Sequence, residues 1–369
     1  MPMNDKRKYD CVVVGGGPAG AAAARRLVAS GARVLLIEMK KMPRMKICSG
    51  LLGTRAQEKI ERFFGELPLS VQARPNWVKA RRVSIEGKEF VEKPLDPIIA
   101  SEMERRKVLQ VWRSKFDQWL IGLTKAEVRE EYQFLDFMEN GESLLIQCRR
   151  ADGRGESVQT DFLIGADGGN SAVRKRLDPG FDKKLHWLFS YKVYFQGTID
   201  LEPGYFYCFL HKDFGDFYSA LLLKDDVITL GTTVNKGYKI KPFFTKYIEY
   251  LRERCGFLVG PPLHRMGCWV NDMGSSGRFY MGRGRVILVG EAGGFLNIMG
   301  EGISSALGTG DIAGQAILEG IQTGRDAGKL YQEMIEPEKE WTRKTWASGS
   351  QSDGENKIQE ILKSAITKA

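Results

Sequence analysis

The sequence predicts an α/β protein in which a parallel-sheet domain is interrupted by an antiparallel-sheet domain and followed by C-terminal helices. Three observations carry this expectation. The apolar runs Tyr9–Val14 and Arg33–Glu38 flank an alanine-rich stretch, Pro18–Ser30. Strands buried on both faces read this way, so the segment is a βαβ unit and implies a parallel sheet. Two more such runs, Asp161–Ala166 and Arg285–Val289, return to the same character far along the chain. Between them, Trp187–Phe195, Tyr205–Leu210, Phe217–Leu223 and Val227–Thr233 are β-rich runs, several of them separated by Gly or Asp. That pattern is expected of an antiparallel sheet.

The remaining elements follow in order. Gly31 suits the C-terminal cap of the first helix. From Trp77 to about Ile99 the chain alternates in short strands such as Ala80–Ile85. Glu102–Leu123 reads as a helix, with Val108, Val111, Trp112, Phe116, Trp119 and Leu120 as its apolar residues. Ile303–Ile321 is helical, and Ser348–Gly354 reads as a linker to a last short helix. The predicted organisation is therefore interleaved. Residues 1–75, 97–182 and 276–325 form the nucleotide-binding domain, 76–96 and 183–275 the second domain, and 326–369 a C-terminal helical segment.

The 369 residues suffice for one large core or two medium ones, and 43% apolar with 27% charged residues is ordinary for a globular chain. A net charge of +9 points to an anionic partner. No nucleic-acid module accompanies the charge, so nucleic acid is set aside. The six cysteines are scattered with no CxxC, which indicates neither a metal site nor an iron–sulfur cluster and reads as reduced cytoplasmic thiols. The first strand begins too early for a signal peptide, and Cys11–Ala24 is too short and glycine-broken to span a membrane.

Three motifs carry chemistry. Gly15-Gly16-Gly17-Pro18-Ala19-Gly20 opens the first helix. Gly15 permits a tight turn, Gly17 lets backbone approach a pyrophosphate, and Gly20 lets helix and strand pack closely. The helix N-terminus offers N–H groups and a positive dipole end to phosphates. Glu38 closes the second strand, where an acid can bind ribose hydroxyls and disfavours a 2′-phosphate. The second motif is Gly165-Ala166-Asp167-Gly168-Gly169-Asn170-Ser171-Ala172-Val173-Arg174, and the third is Gly290-Glu291-Ala292-Gly293-Gly294-Phe295 followed by Gly300-Glu301-Gly302-Ile303. Each follows a strand; an acid there can hold sugar or ribityl hydroxyls, and a glycine-rich helix start can place N–H groups against a ring that gains negative charge. Read alone, either is equally an acidic turn at a strand end.

In this order the motifs resemble those of the p-hydroxybenzoate-hydroxylase-type FAD superfamily, over about Tyr9 to Leu318. The resemblance implies a Rossmann-like FAD-binding domain with an inserted substrate domain. It implies that Gly15, Gly17, Pro18, Ala19, Gly20, Glu38 and Met39 hold the adenosine side of FAD, and Asp167, Gly168, Gly290, Glu291, Gly300, Gly302 and Ile303 the rest. Arg113 matches the arginine of the family's RxxFDxxL helix, which lies near the pyrophosphate. Within the superfamily, the Gly-Glu-Ala-Gly-Gly-Phe and Gly-Glu-Gly-Ile segments are similar to the geranylgeranyl reductase branch, as is Lys46-Ile47-Cys48-Ser49-Gly50, which matches a KxCxG loop over the flavin. Tyr205–Leu210 is similar to that branch's YxWxFP strand, with Tyr207 for the tryptophan and Leu210 for the proline. Asn297-Ile298-Met299 departs from the branch pattern in being shorter and lacking a proline.

The branch implies reduction of carbon–carbon double bonds in a prenyl or other hydrophobic substrate, with hydride from reduced FAD and a proton from the protein. Cys48 is the candidate donor, since an unperturbed thiol with a pKa of about 8.5 is protonated at neutral pH; Tyr205 and Tyr207 are alternatives. A packing role is open for all three. Trp187, Phe189, Tyr191, Phe195, Phe206, Phe209 and Phe217 can line an apolar tunnel or form an ordinary sheet core. No second GxGxxG is present, so the expected electron donor is transient NAD(P)H or a reduced protein carrier. A monooxygenase of aromatic-type substrates, and a flavoprotein electron carrier or redox sensor, are the alternative readings. The tail Lys357–Ala369 carries Ile358, Ile361, Leu362, Ala365 and Ile366 at helical spacing among lysines. Such a stripe docks on its own domain or makes a peripheral contact with an anionic membrane.

Overall fold

The computed structural model describes residues 8–93, 95 and 107–347. Its first sheet runs in the order Gly282–Arg283, Val286–Leu288, Gly155–Gly165, Lys8–Val14, Val34–Glu38, Glu127–Glu130. All neighbours on this path are parallel except Gly282–Arg283, which turns back on Val286–Leu288. A hairpin of Tyr132–Asn140 and Ser143–Arg150 adds antiparallel strands along the early half of Gly155–Gly165. The central strands are apolar on both faces because both are covered: Cys11, Val13 and Leu36 pack under the helices, and Val12, Val14 and Leu35 face the hairpin side.

This order decides where function can sit. Val14 pairs with Gly165, and Gly165 with Leu288, so the three glycine-rich motifs leave three adjacent strands at one edge. Gly15 has φ +108°, and a Cβ there would lie 2.5 Å from the Ala166 carbonyl oxygen, so the first and second motifs touch through backbone alone. The helices Pro18–Ala29 and Ile303–Thr323 pack against each other at Gly310, where a Cβ would come 2.1 Å from the Ala19 carbonyl oxygen. Arg26 locks the pair with a bidentate ion pair to Asp311 at 2.7 and 2.8 Å. Both helix N-termini thereby point at the same edge.

The second sheet follows the order Leu258–Val259, Trp187–Thr198, Val227–Asn235, Ser219–Lys224, Tyr205–Leu210, Ala80–Ile85, Val91–Lys93, with His264–Asn271 also paired to Trp187–Thr198. It is antiparallel apart from one parallel pair, Tyr205–Leu210 with Ala80–Ile85. One face is closed by the helix Ile240–Cys255, against which Phe195, Tyr205, Tyr207 and Phe209 pack. The other face carries Phe206, Cys208 and Leu222 towards Ile298. A small third sheet joins Leu51–Leu52, Val108–Val111 and Gln72–Val78.

The helix expected from Glu102 to Leu123 is corrected. Val108–Val111 is a strand and the helix is Arg113–Gly122, while 102–106 lie outside the described residues. The buried pair Val108 and Val111, three residues apart, imitates part of a helical stripe when a strand runs directly into a helix. The linker 348–354 and the tail 357–369 also lie outside the described residues. Among those described, no helix is long and apolar enough to cross a membrane.

Candidate active site

The motif edge opens into a cavity of about 610 Å³ between the two main sheets. Gly15, Gly17, Pro18, Ala19, Glu38, Met39, Lys46, Cys48, Ser49, Arg113, Asp167, Gly168, Gly290, Glu291, Gly300, Gly302 and Ile303 all line it. Gly20 does not. Its missing Cβ would overlap the Gly15 carbonyl oxygen, so it serves the close helix–strand contact instead. Gly50 lines a second cavity of about 370 Å³. The two cavities share Cys48, Ser49, Tyr218, Asn297, Gly300, Gly302 and Ile303 as a common wall.

The residues fit a dinucleotide. Gly17 at the N-cap of the first helix and Gly302 at that of Ile303–Thr323 provide no capping side chain, which leaves first-turn N–H groups free for a guest, although Glu301 Oε1 already accepts from Ser304 N at 2.7 Å. A Cβ on Gly168 would meet nothing within 4 Å, so this backbone is open to a guest. Glu38 is buried. Its Oε2 accepts from Gly16 N at 3.0 Å and pairs with Arg44 Nε at 3.1 Å, and Oε1 accepts from Lys40 N at 3.0 Å. A carboxylate has about four acceptor sites, so Oε1 keeps room for a hydroxyl.

Asp167 is more committed than its motif implies. Oδ1 accepts from Ser171 Oγ at 2.6 Å, and Oδ2 from Ala172 N and Val173 N at 2.6 and 3.1 Å, so the acid caps the helix Ala172–Leu177. Burial raises its pKa, against the lowering effect of those donors. Arg174, the last residue of the second motif, is buried and ties that motif to the third. It donates to Gly169 O at 2.6 Å and Ala292 O at 2.9 Å, and pairs with Asp182 at 2.7 Å.

A second arginine that the sequence left unmarked, Arg44, completes a charged chain along the cavity wall. Arg44 bridges Glu38 and Asp117, the latter at 2.9 Å. Asp117 also holds Arg113 through bonds of 2.9 and 2.8 Å. The Arg113 charge in turn acts on the neighbouring Cys48 thiol. The ligand of Arg113 within its own helix is the Asp of the RxxFDxxL pattern.

Cys48 stands where the two cavities meet. Its sulfur accepts from Gly50 N at 3.2 Å, and its carbonyl accepts from Lys192 Nζ at 3.0 Å. Burial pushes the thiol up, but Arg113, the Gly50 N–H and Lys192 together outweigh it and hold it below its ordinary value. The same cations that line the cavity therefore pull the Cys48 thiol towards its charged form, against the effect of burial. Lys192, which no sequence motif marks, lines the first cavity, and burial lowers its pKa to about 8.

Tyr205 and Tyr207 lie elsewhere. The Tyr207 hydroxyl donates to Glu202 O at 2.9 Å, and the Tyr205 ring stacks under the Arg82 guanidinium. Strand alternation turns both towards the helix Ile240–Cys255, away from either cavity, so the geometry carries no proton donation from them. Of the aromatic residues expected to line a tunnel, Phe217 reaches the first cavity and Phe206 the second. The tyrosine at the junction is Tyr218, whose hydroxyl donates to Met299 O at 2.8 Å.

A family described as "FAD binding domain" matches residues 8–209, more than half of the chain. The chain belongs to this FAD-binding family. It is an FAD-dependent flavoprotein oxidoreductase. Among curated relatives, Protein CbrA of Shigella sonnei (strain Ss046) is 29% identical over 322 residues, covering 84% of this chain and 84% of CbrA. Among solved structures, a geranylgeranyl bacteriochlorophyll reductase-like protein (Ta0516) from Thermoplasma acidophilum is similar with a TM-score of 0.75 and 19% identity, covering 98% of this chain and 88% of that one. The myxobacterial chondrochloren halogenase CndH has a TM-score of 0.74 and 16% identity, covering 96% and 86%. At these identities the likeness is one of fold.

Proposed function

We propose that this protein reduces carbon–carbon double bonds of a hydrophobic substrate, a prenyl chain in the first instance. The observation that carries the reading is the second cavity. Leu51, Ala56, Val108, Phe206, Ile298 and Met299 line it, and it joins the larger cavity at Cys48 and Gly300. An apolar chain placed there ends where the third motif and the KxCxG loop converge. Bound FAD, once reduced, supplies the hydride. The protein's part is to exclude water, orient the chain and return a proton. Lys192, still protonated at neutral pH but with a lowered pKa, suits that last task beside Cys48. Electrons come from NAD(P)H or a reduced protein carrier.

The test is anaerobic. Flavin-loaded protein is photoreduced and mixed with geranylgeraniol. Reoxidation with formation of a saturated product supports the reading. Reoxidation only by oxygen, with hydroxylation of an aromatic substrate, selects a monooxygenase, and no reaction with either overturns both. Cys48→Ser retains FAD and normal reduction by the donor but slows substrate turnover; full turnover in Cys48→Ala reduces Cys48 to packing. A substrate insoluble in water also motivates a cytoplasmic protein that touches the membrane through 357–369. Co-sedimentation with anionic liposomes, lost when residues after Gly354 are removed, checks this.

A further inference from the structure

Behind Cys48 lies a third, closed-in cavity of about 10 Å³, room for roughly one water-sized guest. Lys46, Arg113, Lys192 and Lys224 line it together with Cys48, and among the described residues no carboxylate does. Arg113 is neutralised by Asp117. Lys192 and Lys224 are not neutralised by any ion pair among the described residues, although they are only 6% and 3% exposed. Each ammonium donates to a backbone carbonyl, Lys192 to Cys48 O at 3.0 Å and Lys224 to Val111 O at 2.7 Å. The acid nearest in sequence to Lys224 is Asp225, but its oxygens already accept from Trp112 Nε1 at 2.6 Å and Arg74 N at 2.9 Å. Two neighbouring buried ammonium groups without a carboxylate partner are costly, and such charges in folded proteins are normally paired.

We propose that this cavity binds a small inorganic anion of halide size, held between the Lys192 and Lys224 ammonium groups. Each ammonium has three donors, and the carbonyl bonds named above account for one on each. The volume admits a monatomic anion and excludes a carboxylate or phosphate. The anion adds negative charge to a wall where the protein itself offers only the Cys48 thiol and no carboxylate.

Protonation is linked to binding. Burial first, then the neighbouring Lys192, lowers Lys224 to about 7 against the opposing pull of Cys48 and Asp225, with Arg113 adding to the lowering. Burial lowers Lys192 to about 8 against Cys48 and Cys268. An anion favours the charged lysines, so it binds at neutral to acidic pH and leaves as both deprotonate.

The experiment uses flavin-loaded protein, chloride as the probe, chlorine NMR line width as the readout, and gluconate to hold ionic strength. Wild type is compared with Lys224→Met and Lys192→Met. At about pH 6.5 wild type should show roughly twofold more protein-dependent broadening than either variant, competed by bromide, and the excess should vanish by about pH 9.5. Equal broadening in wild type and folded, flavin-loaded variants overturns the site. If the variants do not fold, the wild-type titration decides: broadening that does not fall through the lysine range, or that bromide does not compete, also overturns it.

Discussion

Asp117→Asn tests the charged chain on which the flavin cavity rests. Asp117 is fully buried and accepts three bonds, two from Arg113 and one from Arg44, at 2.8–2.9 Å. Asparagine keeps the shape and one acceptor oxygen but removes the charge, leaving Arg44 paired with Glu38 alone and the largely buried Arg113 guanidinium without its carboxylate partner. Breaking a buried ion pair from one side costs about 3–5 kcal/mol, and the retained acceptor places this case near the lower end, about 3 kcal/mol. At about 2–4 °C per kcal/mol for a large domain, the flavin-free protein should melt roughly 6–12 °C below wild type. Both arginines line the cavity, so an anionic pyrophosphate replaces part of the lost charge. The loss measured with saturating FAD should therefore be the smaller one. Thermal melts of apo and FAD-saturated protein decide the matter. A loss under about 1 kcal/mol, or an equal loss with and without FAD, refutes the claim that Asp117 organises these cations at the FAD site.

Glu38→Ala should weaken FAD binding by on the order of 1.5–3 kcal/mol, read by flavin fluorescence titration, because charge-assisted bonds are lost; unchanged affinity removes Glu38 from the site. Gly50→Ala should displace the Cys48 loop, since Gly50 has φ +66° and a Cβ would stand 2.1 Å from Val111 O; the expected cost is about 2 kcal/mol or more in urea unfolding. Lys224→Met tests the buried charge through pH. Lys224 titrates near 7 when folded and near the ordinary 10.5 when unfolded, so between these values the unfolded chain binds more protons and wild-type stability rises with pH. In chloride-free buffer the variant should be the more stable near pH 7, with an advantage that shrinks by up to roughly 1.4 kcal/mol per pH unit as pH climbs. A pH-independent difference contradicts the buried, uncompensated ammonium.

What the sequence determined by itself is local and backbone-borne. Tyr9–Val14, Pro18–Ser30 and Arg33–Glu38 announce a βαβ unit because burial on both faces and helix-forming alanines act within a few residues. The glycine motifs announce an FAD site because only glycine allows the approaches found at Gly15 and Gly20. The short helix at Ala172 and the strand at Val108 were less legible, since a four-residue strand feeding a helix leaves no full period to read. The tertiary structure alone decided which side chains meet. Tyr205 and Tyr207 looked like site residues in a strand motif, but the helix Ile240–Cys255 claims their face of the sheet. Arg44, Lys192 and Lys224 carry no motif. Arg44 meets Asp117, Lys192 meets Cys48 and Lys224 meets Val111 across more than seventy residues of chain, and one residue's charge acquires its meaning only when folding removes water and places a second polar group beside it. The lowered Cys48 thiol is the clearest case: the residue is legible in the KxCxG loop, but its protonation state belongs to Arg113 and Lys192, which reach it from other parts of the chain.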